Sequence, residues 1–204
     1  MSDQESSEDP DLRLVLACQA APEAGFEGPF RDLYEAYRDR VYSTCYRITG
    51  NATDALDAAQ ETFALVHRRI GGFRRESRLS SWIYRIAVNA SIDLKRRAAS
   101  RPWTSLEALR ADPDQGLDPE DDALPEPSRA LGRGELARDV HAAIGRLSDK
   151  LRVVVVLRYL QEQSYEEVSE TLGISLGTVK SRLSRAHEAL DRELAGRLDR
   201  HYTD

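Results

Sequence analysis

The stretch TDALDAAQETFALVHRRIGGFRRESRLSSWIYRIAVNASIDLKRR, residues 53–97, predicts two helices joined by a glycine turn. In the first helix, Thr53 stands at a capping position, and Gly71 and Gly72 stand at the end. Apolar residues recur between them at steps of three and four, which is the spacing of one core-facing helix stripe. That stripe consists of Leu56, Ala59, Phe63, Val66 and Ile70.

The opposite side of the first helix carries carboxylates and a leucine in a second stripe, which consists of Asp54, Ala58, Glu61 and Leu65. A surface that combines acidic groups with an exposed leucine suits a basic, partly apolar partner. A solvated helix face with one exposed leucine would produce the same pattern. The residues alone leave both interpretations open.

The second helix, about residues 81–97, is apolar on two sides. One face consists of Ile83, Ile86, Ala87, Ala90 and Leu94, and the other consists of Tyr84, Val88 and Ile92. A helix with two apolar faces needs neighbours on both of them, because each face must be removed from water. The sequence therefore predicts that this helix is held between two packed layers.

Between those two faces runs a stripe of Trp82, Arg85, Asn89 and Arg96. An aromatic ring, guanidinium groups and a side-chain amide are suited to holding unstacked bases and their phosphates. Basic clusters lie at both ends of the stripe, at residues 74–78 (including Arg74 and Arg78) and at residues 95–97. The combination indicates a nucleic-acid surface more strongly than any one exposed charge does.

The net charge of −6 is unevenly distributed over the 204 residues. Residues 1–12 and 111–128 contain twelve acidic residues and no Lys or Arg; without them, 23 acidic residues remain against 29 basic ones. The segments predicted to fold are therefore basic, which is compatible with nucleic-acid binding. No apolar run approaches the roughly 20 residues of a membrane span, and the acidic start does not resemble a secretory signal. We expect a cytoplasmic protein.

The two cysteines, Cys18 and Cys45, form no CxxC pair and no zinc-binding pattern with the four histidines. Cys45 falls in register with an apolar series in a helix predicted over residues 30–49, so a buried, reduced thiol is expected. That series consists of Leu33, Tyr37, Val41 and Ile48. We expect no metal site and no cofactor.

The remaining segments complete an all-α prediction. An acidic, Ser-rich tail (1–24) includes a short apolar stretch that predicts a small helix, and an acidic, Pro-rich linker spans residues 101–133. The C-terminal part, 134–204, predicts only helices. Ser164 and Glu167 form a capping box there, Gly173 ends the short helix that follows, and Ser175 caps a longer one.

This order of short helix, glycine turn and capped second helix is the helix-turn-helix arrangement. The inward face of the last helix contains Val179 and Leu183, while its exposed face presents Thr178, Ser181, Ser184 and Arg185, flanked by Lys180 and Arg182. Small hydroxyl residues beside arginine and lysine suit the major groove of duplex DNA. An ordinary helical hairpin with a polar back is the competing interpretation.

Together the two halves resemble the extracytoplasmic-function (ECF) group of bacterial sigma factors, the small members of the sigma-70 family. The resemblance covers about residues 30–97 and 135–198. Its strongest marks are DAAQETF (57–63), SWIYRIAVN (81–89), SYEEV (164–168) and GTVKSRL (177–183). The last two are weak alone, since response-regulator DNA-binding domains carry a similar pattern, but they are specific when paired with the first two.

The resemblance implies a role for each surface in promoter-directed transcription initiation. Residues 25–100 would form the region that binds core RNA polymerase, at the clamp coiled coil of the largest subunit, through Asp57, Gln60, Glu61 and Leu65. The same region would melt the −10 element and hold it single-stranded through Arg74, Arg78, Trp82, Arg85, Asn89 and Arg96. Residues 134–204 would read the duplex −35 element through Thr178, Lys180, Ser181, Ser184 and Arg185.

The resemblance also implies further partners and some departures. The second large polymerase subunit would be contacted at its flap, the linker would pass through the polymerase, and an anti-sigma factor would restrain the protein. Ala58 and Ala59 stand where the family has larger aliphatic residues, so a less apolar clamp contact is expected. Ser169 replaces a usual alanine and His187 replaces a common arginine. The histidine weakens the expectation of one phosphate contact but leaves the expected fold unchanged.

Two other functions compete with this one. A stand-alone helix-turn-helix regulator would bind duplex DNA by itself, but it gives no role to Trp82 and Asn89. A DNA-processing enzyme, such as a recombinase, would need a carboxylate cluster for metal or a nucleophilic Ser or Tyr among arginines. Tyr84 is the nearest candidate nucleophile, although its position on an apolar face favours a packing role.

Overall fold

We describe the fold from a computed structural model of the chain. It describes residues 9–21, 25, 26, 28–99 and 133–201, and all regular secondary structure within these ranges is helical. The predicted acidic linker lies outside the described residues, apart from Arg133, as do residues 1–8 and 22–24 of the acidic tail. None of the described helices combines the length and the apolarity that a bilayer crossing requires.

The N-terminal unit is a bundle of four helices: α1 (Pro10–Ala20), α2 (Pro29–Thr49), α3 (Ala52–Arg69) and α4 (Leu79–Ala99). The small helix predicted near the N-terminus is therefore present as α1. It packs on α2, where Val15 and Cys18 are buried and the Tyr37 hydroxyl donates to Asp11 Oδ2 at 2.7 Å. Cys45 is fully buried and unpaired with another cysteine, as predicted.

Four of the five residues predicted to face the core from α3 are buried, and only Leu56 is not; the buried four are Ala59, Phe63, Val66 and Ile70. The buried face of α3 consists of Ala55, Ala58, Ala59, Thr62, Phe63 and Val66, whereas Leu56 is 52% exposed. Small residues at three of these positions let the helix approach α2 and α4 closely, so the inward face is turned toward the alanines. Leu65 is half-buried against the core, which corrects its prediction as an exposed leucine. Ala58 and Ala59 are core residues and do not line a partner surface.

The boundaries of α3 are set by local bonds. Asn51, not Thr53, caps its start, because the backbone N–H of Asp54 donates to Asn51 Oδ1 at 2.8 Å. Gly50 precedes it with φ of 84°, a left-handed conformation that favours glycine at the end of α2. A short 3-10 turn, Ile70–Gly72, follows α3 and contains the two glycines predicted at the end of the helix.

The C-terminal unit contains α5 (Arg133–Arg146), α6 (Asp149–Val155), α7 (Tyr165–Leu172) and α8 (Leu176–His201). Helix α6 continues into a wider turn over Val156–Leu160, and the run Val153 to Leu157 is no more than 2% exposed, as its apolar composition predicts. The predicted capping box at the start of α7 and the left-handed Gly173 at its end are both present. Ser175 Oγ accepts from the backbone N–H of Thr178 at 3.1 Å at the start of α8, also as predicted.

Helix α4 lies between the two units. Ile83, Ile86 and Ala87 belong to the core of the N-terminal bundle. The other apolar face, Tyr84 and Val88 with Ile92, belongs to the core of the C-terminal unit. The prediction that this helix is held between two layers is confirmed, and the second layer is the helix-turn-helix unit.

A buried polar network crosses the same interface. Lys95 Nζ lies 2.7 Å from Asp149 Oδ1, which also accepts from Arg152 Nη1 at 2.9 Å. Arg152 is 2% exposed and donates further to the carbonyls of Ile48 on α2 (3.1 Å) and Leu147 (2.8 Å). Ile48 lies in the last turn of α2 and Leu147 directly follows α5, so no intrahelical donor reaches either carbonyl. One guanidinium therefore serves the ends of helices in both units.

Candidate nucleic-acid and polymerase interfaces

The predicted polymerase-binding residues lie on the outer side of α3. Asp57, Gln60 and Glu61 are all exposed there, and Glu61 lies 3.9 Å from Arg68. The apolar member of this surface is Leu56, which precedes Asp57 directly and lies one turn before Gln60. Leu65 is half-buried, and its side chain packs partly on the bundle core. The run of small residues at 55, 58 and 59 was the sequence signal that could have identified Leu56 as the exposed leucine.

The predicted −10 stripe follows one side of α4. The Trp82 ring is half-buried and leans on Phe73, with ring centroids 4.9 Å apart and planes 35° apart. Asn89 is half-buried, and its Oδ1 has no hydrogen-bond partner among the described residues. An unpaired buried amide oxygen is costly in a resting protein, and a base amino group would satisfy it.

The basic residues of this region have different environments. Arg74 lies in the loop before α4, with an 82% exposed side chain 3.8 Å from Glu76. Arg96 lies near the other end of α4, 3.9 Å from Asp93. The Arg74 pair is exposed and weak, so its guanidinium can exchange Glu76 for a phosphate at little cost. The Arg96 side chain is half-buried.

Two further arginines of the stripe contact the C-terminal unit. Arg85 Nε donates to the Thr171 carbonyl at 3.0 Å, and its Nη2 donates to the Glu170 carbonyl. Arg78 Nη1 lies 2.5 Å from Glu167 Oε1. The stripe is therefore continuous along the helix surface, but in this structure part of it faces α7.

The predicted −35 residues share the outer side of α8. Lys180, Ser181, Ser184 and Arg185 are exposed, and Thr178 is half-buried. The Ser181 hydroxyl donates to the Thr178 carbonyl at 3.1 Å, while Ser184 Oγ lies 3.5 Å from Glu188 Oε1. Arg182 does not flank this surface as predicted, since it is only 2% exposed and points toward the interior. Successive side chains on a helix point about 100° apart, so Arg182 can point inward while its neighbours in the sequence point outward.

Near this surface, Tyr159 and His187 form a pair that the sequence did not predict. Tyr159, which is 50% exposed, has its hydroxyl 2.7 Å from Nε2 of His187. His187 follows Lys180 by seven residues, so both lie on one side of α8. Ser169, the other departure in the motif, donates its hydroxyl to the Ile174 carbonyl at 2.6 Å and so fits the turn between α7 and α8.

Tyr84 is unsuited to nucleophilic chemistry. Its side chain is 2% exposed between the two units, and its pKa is raised above the ordinary value, chiefly because burial penalises the phenolate. Among the described residues, no group of three or more His, Cys, Asp or Glu side chains could hold a metal ion. Tyr84 is therefore a packing residue.

Comparison with known proteins identifies both halves. The family described as Sigma-70 region 2 matches residues 33–101, and the family described as Sigma-70, region 4 matches residues 137–190. The chain is 38% identical over 175 residues to the ECF RNA polymerase sigma factor SigW of Bacillus subtilis (strain 168); this covers 83% of the chain and 91% of SigW.

Solved structures of similar architecture include CnrH in complex with the cytosolic domain of CnrY. That match has a TM-score of 0.62 and 25% identity over 90% of this chain and 97% of the other. The sigma factor RpoE from Bartonella quintana, solved with the anti-sigma factor NepR, has the same fold, with a TM-score of 0.59 and 20% identity over 81% of this chain and 96% of that chain. The chain therefore belongs to the extracytoplasmic-function group of the sigma-70 family of RNA polymerase sigma factors.

Proposed function

We propose that this sigma factor binds core RNA polymerase through α3 and directs it to promoters by reading a −10 and a −35 element with separate units. The observation that carries the proposal is the pairing, in one chain, of an aromatic and basic stripe on α4 with a helix-turn-helix whose second helix exposes hydroxyl and basic groups. Stripe and helix suit single-stranded and duplex DNA respectively, as promoter opening requires.

The polymerase contact is assigned to Asp57, Gln60 and Glu61, with Leu56 as its apolar centre. Carboxylates around an exposed leucine suit a basic partner helix that also offers an apolar contact, such as the clamp coiled coil of the largest subunit. Leu65 is retained only as a support beneath this surface, because it is half-buried against the bundle core. We infer that residues 25–100 form the polymerase-binding and −10 unit.

The −10 role is assigned to the stripe along α4 and the loop before it. Trp82 offers a ring face to an unstacked base, and Asn89 offers an unsatisfied amide oxygen. Arg74, Arg78, Arg85 and Arg96 supply cations for the phosphates. Extruding bases costs a few kcal/mol, and a surface formed before DNA arrives offsets this cost better than one that must be assembled.

The −35 role is assigned to Thr178, Lys180, Ser181, Ser184 and Arg185 in the unit formed by residues 134–204. Arg185 is the residue best placed for guanine, since an exposed guanidinium on a recognition helix can donate two bonds to one base edge. The flap of the second polymerase subunit is the proposed partner of this unit, and residues 101–133 are the proposed connection between the units.

We further propose that the protein acts in the cytoplasm, has no catalytic activity of its own and uses no cofactor. Its second protein partner would be an anti-sigma factor. This is supported by the fold shared with RpoE, a sigma factor solved in complex with the anti-sigma factor NepR.

The test is in vitro transcription with purified bacterial core polymerase and a genomic promoter library, with and without the protein. We expect new start sites that are preceded by shared −35 and −10 sequences. Failure to bind polymerase, combined with tight duplex binding by the protein alone, would instead identify a stand-alone regulator. Strand cleavage in magnesium without polymerase would identify a DNA-processing enzyme.

A further inference from the structure

We propose that Gln19 is a positioning residue for the −10 surface: from α1 it holds the glycine turn before α4 and thereby fixes Phe73 against Trp82. The inference rests on the proposed function and names a residue that acts through the −10 stripe without contacting DNA. Without this support, the turn would have to be ordered each time a strand binds.

One side-chain amide joins α1 to both ends of the turn Ile70–Gly72. Gln19 Nε2 donates to the Ile70 carbonyl at 3.2 Å and to the Phe73 carbonyl, just past the turn, at 2.9 Å. The bonded residues are 51 and 54 positions apart in the sequence, so both bonds are tertiary contacts. Because one NH₂ group carries both donors, the two bonds together restrain where the chain leaves α3 and where it enters the loop.

Helix α1 is itself firmly attached to the bundle. Val15 and Cys18 are buried in the N-terminal core, and the Tyr37 hydroxyl donates to Asp11 Oδ2 at 2.7 Å. Gln19 directly follows Cys18, so its backbone lies beside a buried anchor. The amide therefore acts from a fixed support.

The turn contains two glycines that its geometry does not require. A Cβ added at Gly71 or Gly72 would meet no atom within 4 Å, and neither residue has a left-handed φ. Glycine loses more conformational freedom on ordering than any other residue. A turn with two glycines therefore depends more on an external restraint than a turn of ordinary residues would.

The restrained turn leads directly to the aromatic end of the −10 stripe. Phe73, whose carbonyl accepts one of the bonds, leans its ring on Trp82 with centroids 4.9 Å apart. Two residues later, Arg75 has a φ of 59°, a left-handed conformation that is uncommon outside glycine and persists only where the surrounding structure holds it. Gln19 supplies such a hold at the start of the loop.

The expected consequence is a loss of strand affinity when the hold is removed. A strand that binds only the held loop has its apparent affinity reduced by the fraction of molecules in which the loop is held. Loss of the two bonds should lower strand affinity by about tenfold, since each bond contributes modestly. Alanines in place of the glycines should oppose this loss, because they leave a released turn fewer conformations.

The main test uses holoenzyme assembled from core polymerase and the full chain with Gln19→Leu, which keeps the side-chain volume but removes the donor. The probe is a fluorescein-labelled single strand carrying the −10 sequence found by the transcription experiment. We expect about tenfold weaker strand binding, with unchanged affinity for core polymerase and for a −35 duplex. Ala17→Leu, which adds the same side chain at an exposed position of α1, should change none of these affinities.

A rescue experiment tests the role of the turn. Gly71→Ala with Gly72→Ala, added to Gln19→Leu, should recover at least about threefold of the lost affinity. The same two alanines in the wild type should change strand binding by less than about twofold, because Gln19 already holds the turn there.

Trp82 reports on the turn without polymerase or DNA. The chain has two tryptophans, so Trp103→Phe leaves Trp82 as the single emitter. In that background, Gln19→Leu should increase quenching of Trp82 fluorescence by acrylamide, because a released Phe73 ring uncovers the indole. Ala17→Leu should leave the quenching unchanged.

The outcomes separate this inference from the proposed function. Wild-type strand binding and quenching in Gln19→Leu would overturn the positioning role and leave the sigma function intact. An equal loss of −35 binding, which indicates general destabilisation, would also overturn it, as would a loss that the two alanines do not recover. Absence of polymerase-dependent initiation by the wild type would remove the proposed function, and with it the role of Gln19 at DNA, even if quenching increased as expected.

Discussion

Arginines of the C-terminal unit have opposite roles at positions three residues apart in one helix. Arg182 is 2% exposed, whereas Arg185 is exposed on the outer side of α8. Both belong to the same basic sequence, so composition does not distinguish them. An arginine can meet DNA only if its side chain points away from the inward residues Val179 and Leu183, and this direction depends on its position along the helix.

At the residue scale, Arg185→Ala should weaken binding of the polymerase holoenzyme to its −35 element by about 1–3 kcal/mol, because a guanidinium contact to a base edge is lost. Fluorescence anisotropy with a labelled −35 duplex measures the change. Arg192→Ala removes the same charge two turns further along α8 and should have a smaller effect. An equal loss on a scrambled −35 duplex would make Arg185 a phosphate contact.

The cysteines should be inert in the folded protein. Cys45 is fully buried, and burial raises the pKa of its thiol to about 11, so about one molecule in a thousand carries the thiolate at pH 8. Burial also raises the pKa of Cys18, and Asp32 adds to the shift. The thiolate is the reactive form, so reactivity should increase only as pH rises toward these values.

Ellman's reagent at pH 8 measures this directly. We expect the native thiols to react at least about 100-fold more slowly than in guanidinium chloride, because reaction requires local opening as well as deprotonation. Ala195→Cys, at an exposed position, supplies a thiol that should react at once. Rapid reaction of the wild type would show that α1 or α2 opens readily.

At the element scale, capping bonds determine where the short helices begin. Helix α7 has only eight residues, too few to be stable alone, and its capping box supplies two bonds to its first turn. The same Glu167 that closes the box faces Arg78. A local feature of the sequence thus also positions a group at the interface between the units.

Ser164→Ala should lower the free energy of unfolding by about 0.5–2 kcal/mol, because the backbone N–H of Glu167 loses its side-chain acceptor. Urea denaturation followed by far-UV circular dichroism measures the loss. Ser164→Asp should retain most of the stability, because aspartate accepts the same bond. If both substitutions cost the same, the serine would act through something other than its cap.

At the scale of the whole molecule, α4 joins two cores. Its two apolar faces belong to different units, and Arg152 bonds to carbonyls of both. The stability of the fold is therefore shared between units that the sequence separates by more than thirty residues.

Arg152→Met should lower the free energy of unfolding by about 3 kcal/mol or more, since several buried carbonyls lose their donor and Asp149 loses one of its two cations. Chemical denaturation measures the change. Arg38→Met, at an exposed ion pair with Glu35, should stay within about 0.5 kcal/mol of the wild type. Equal effects of the two substitutions would contradict the assigned role of Arg152.

The sequence by itself determined the local features of this protein. Glycines, caps and the helical period predicted α2, α4, the capping box and the helix-turn-helix, because each depends on residues within one or two turns. The two apolar faces of α4 also followed from spacing alone. The exposed residues Asp57, Gln60, Glu61 and Arg185 were correctly placed on outer surfaces, although their roles remain predictions.

Only the tertiary structure decided that Leu56 of α3 is exposed and which charges are buried. Ala55 and Ala58 are buried on the inward side of α3 while Leu56 is exposed, because close helix packing favours the small side chains. The contacts of Arg85 and Arg152 join residues 85 or more positions apart. No local pattern encodes a bond between two units, because it exists only when both cores have formed and met across α4.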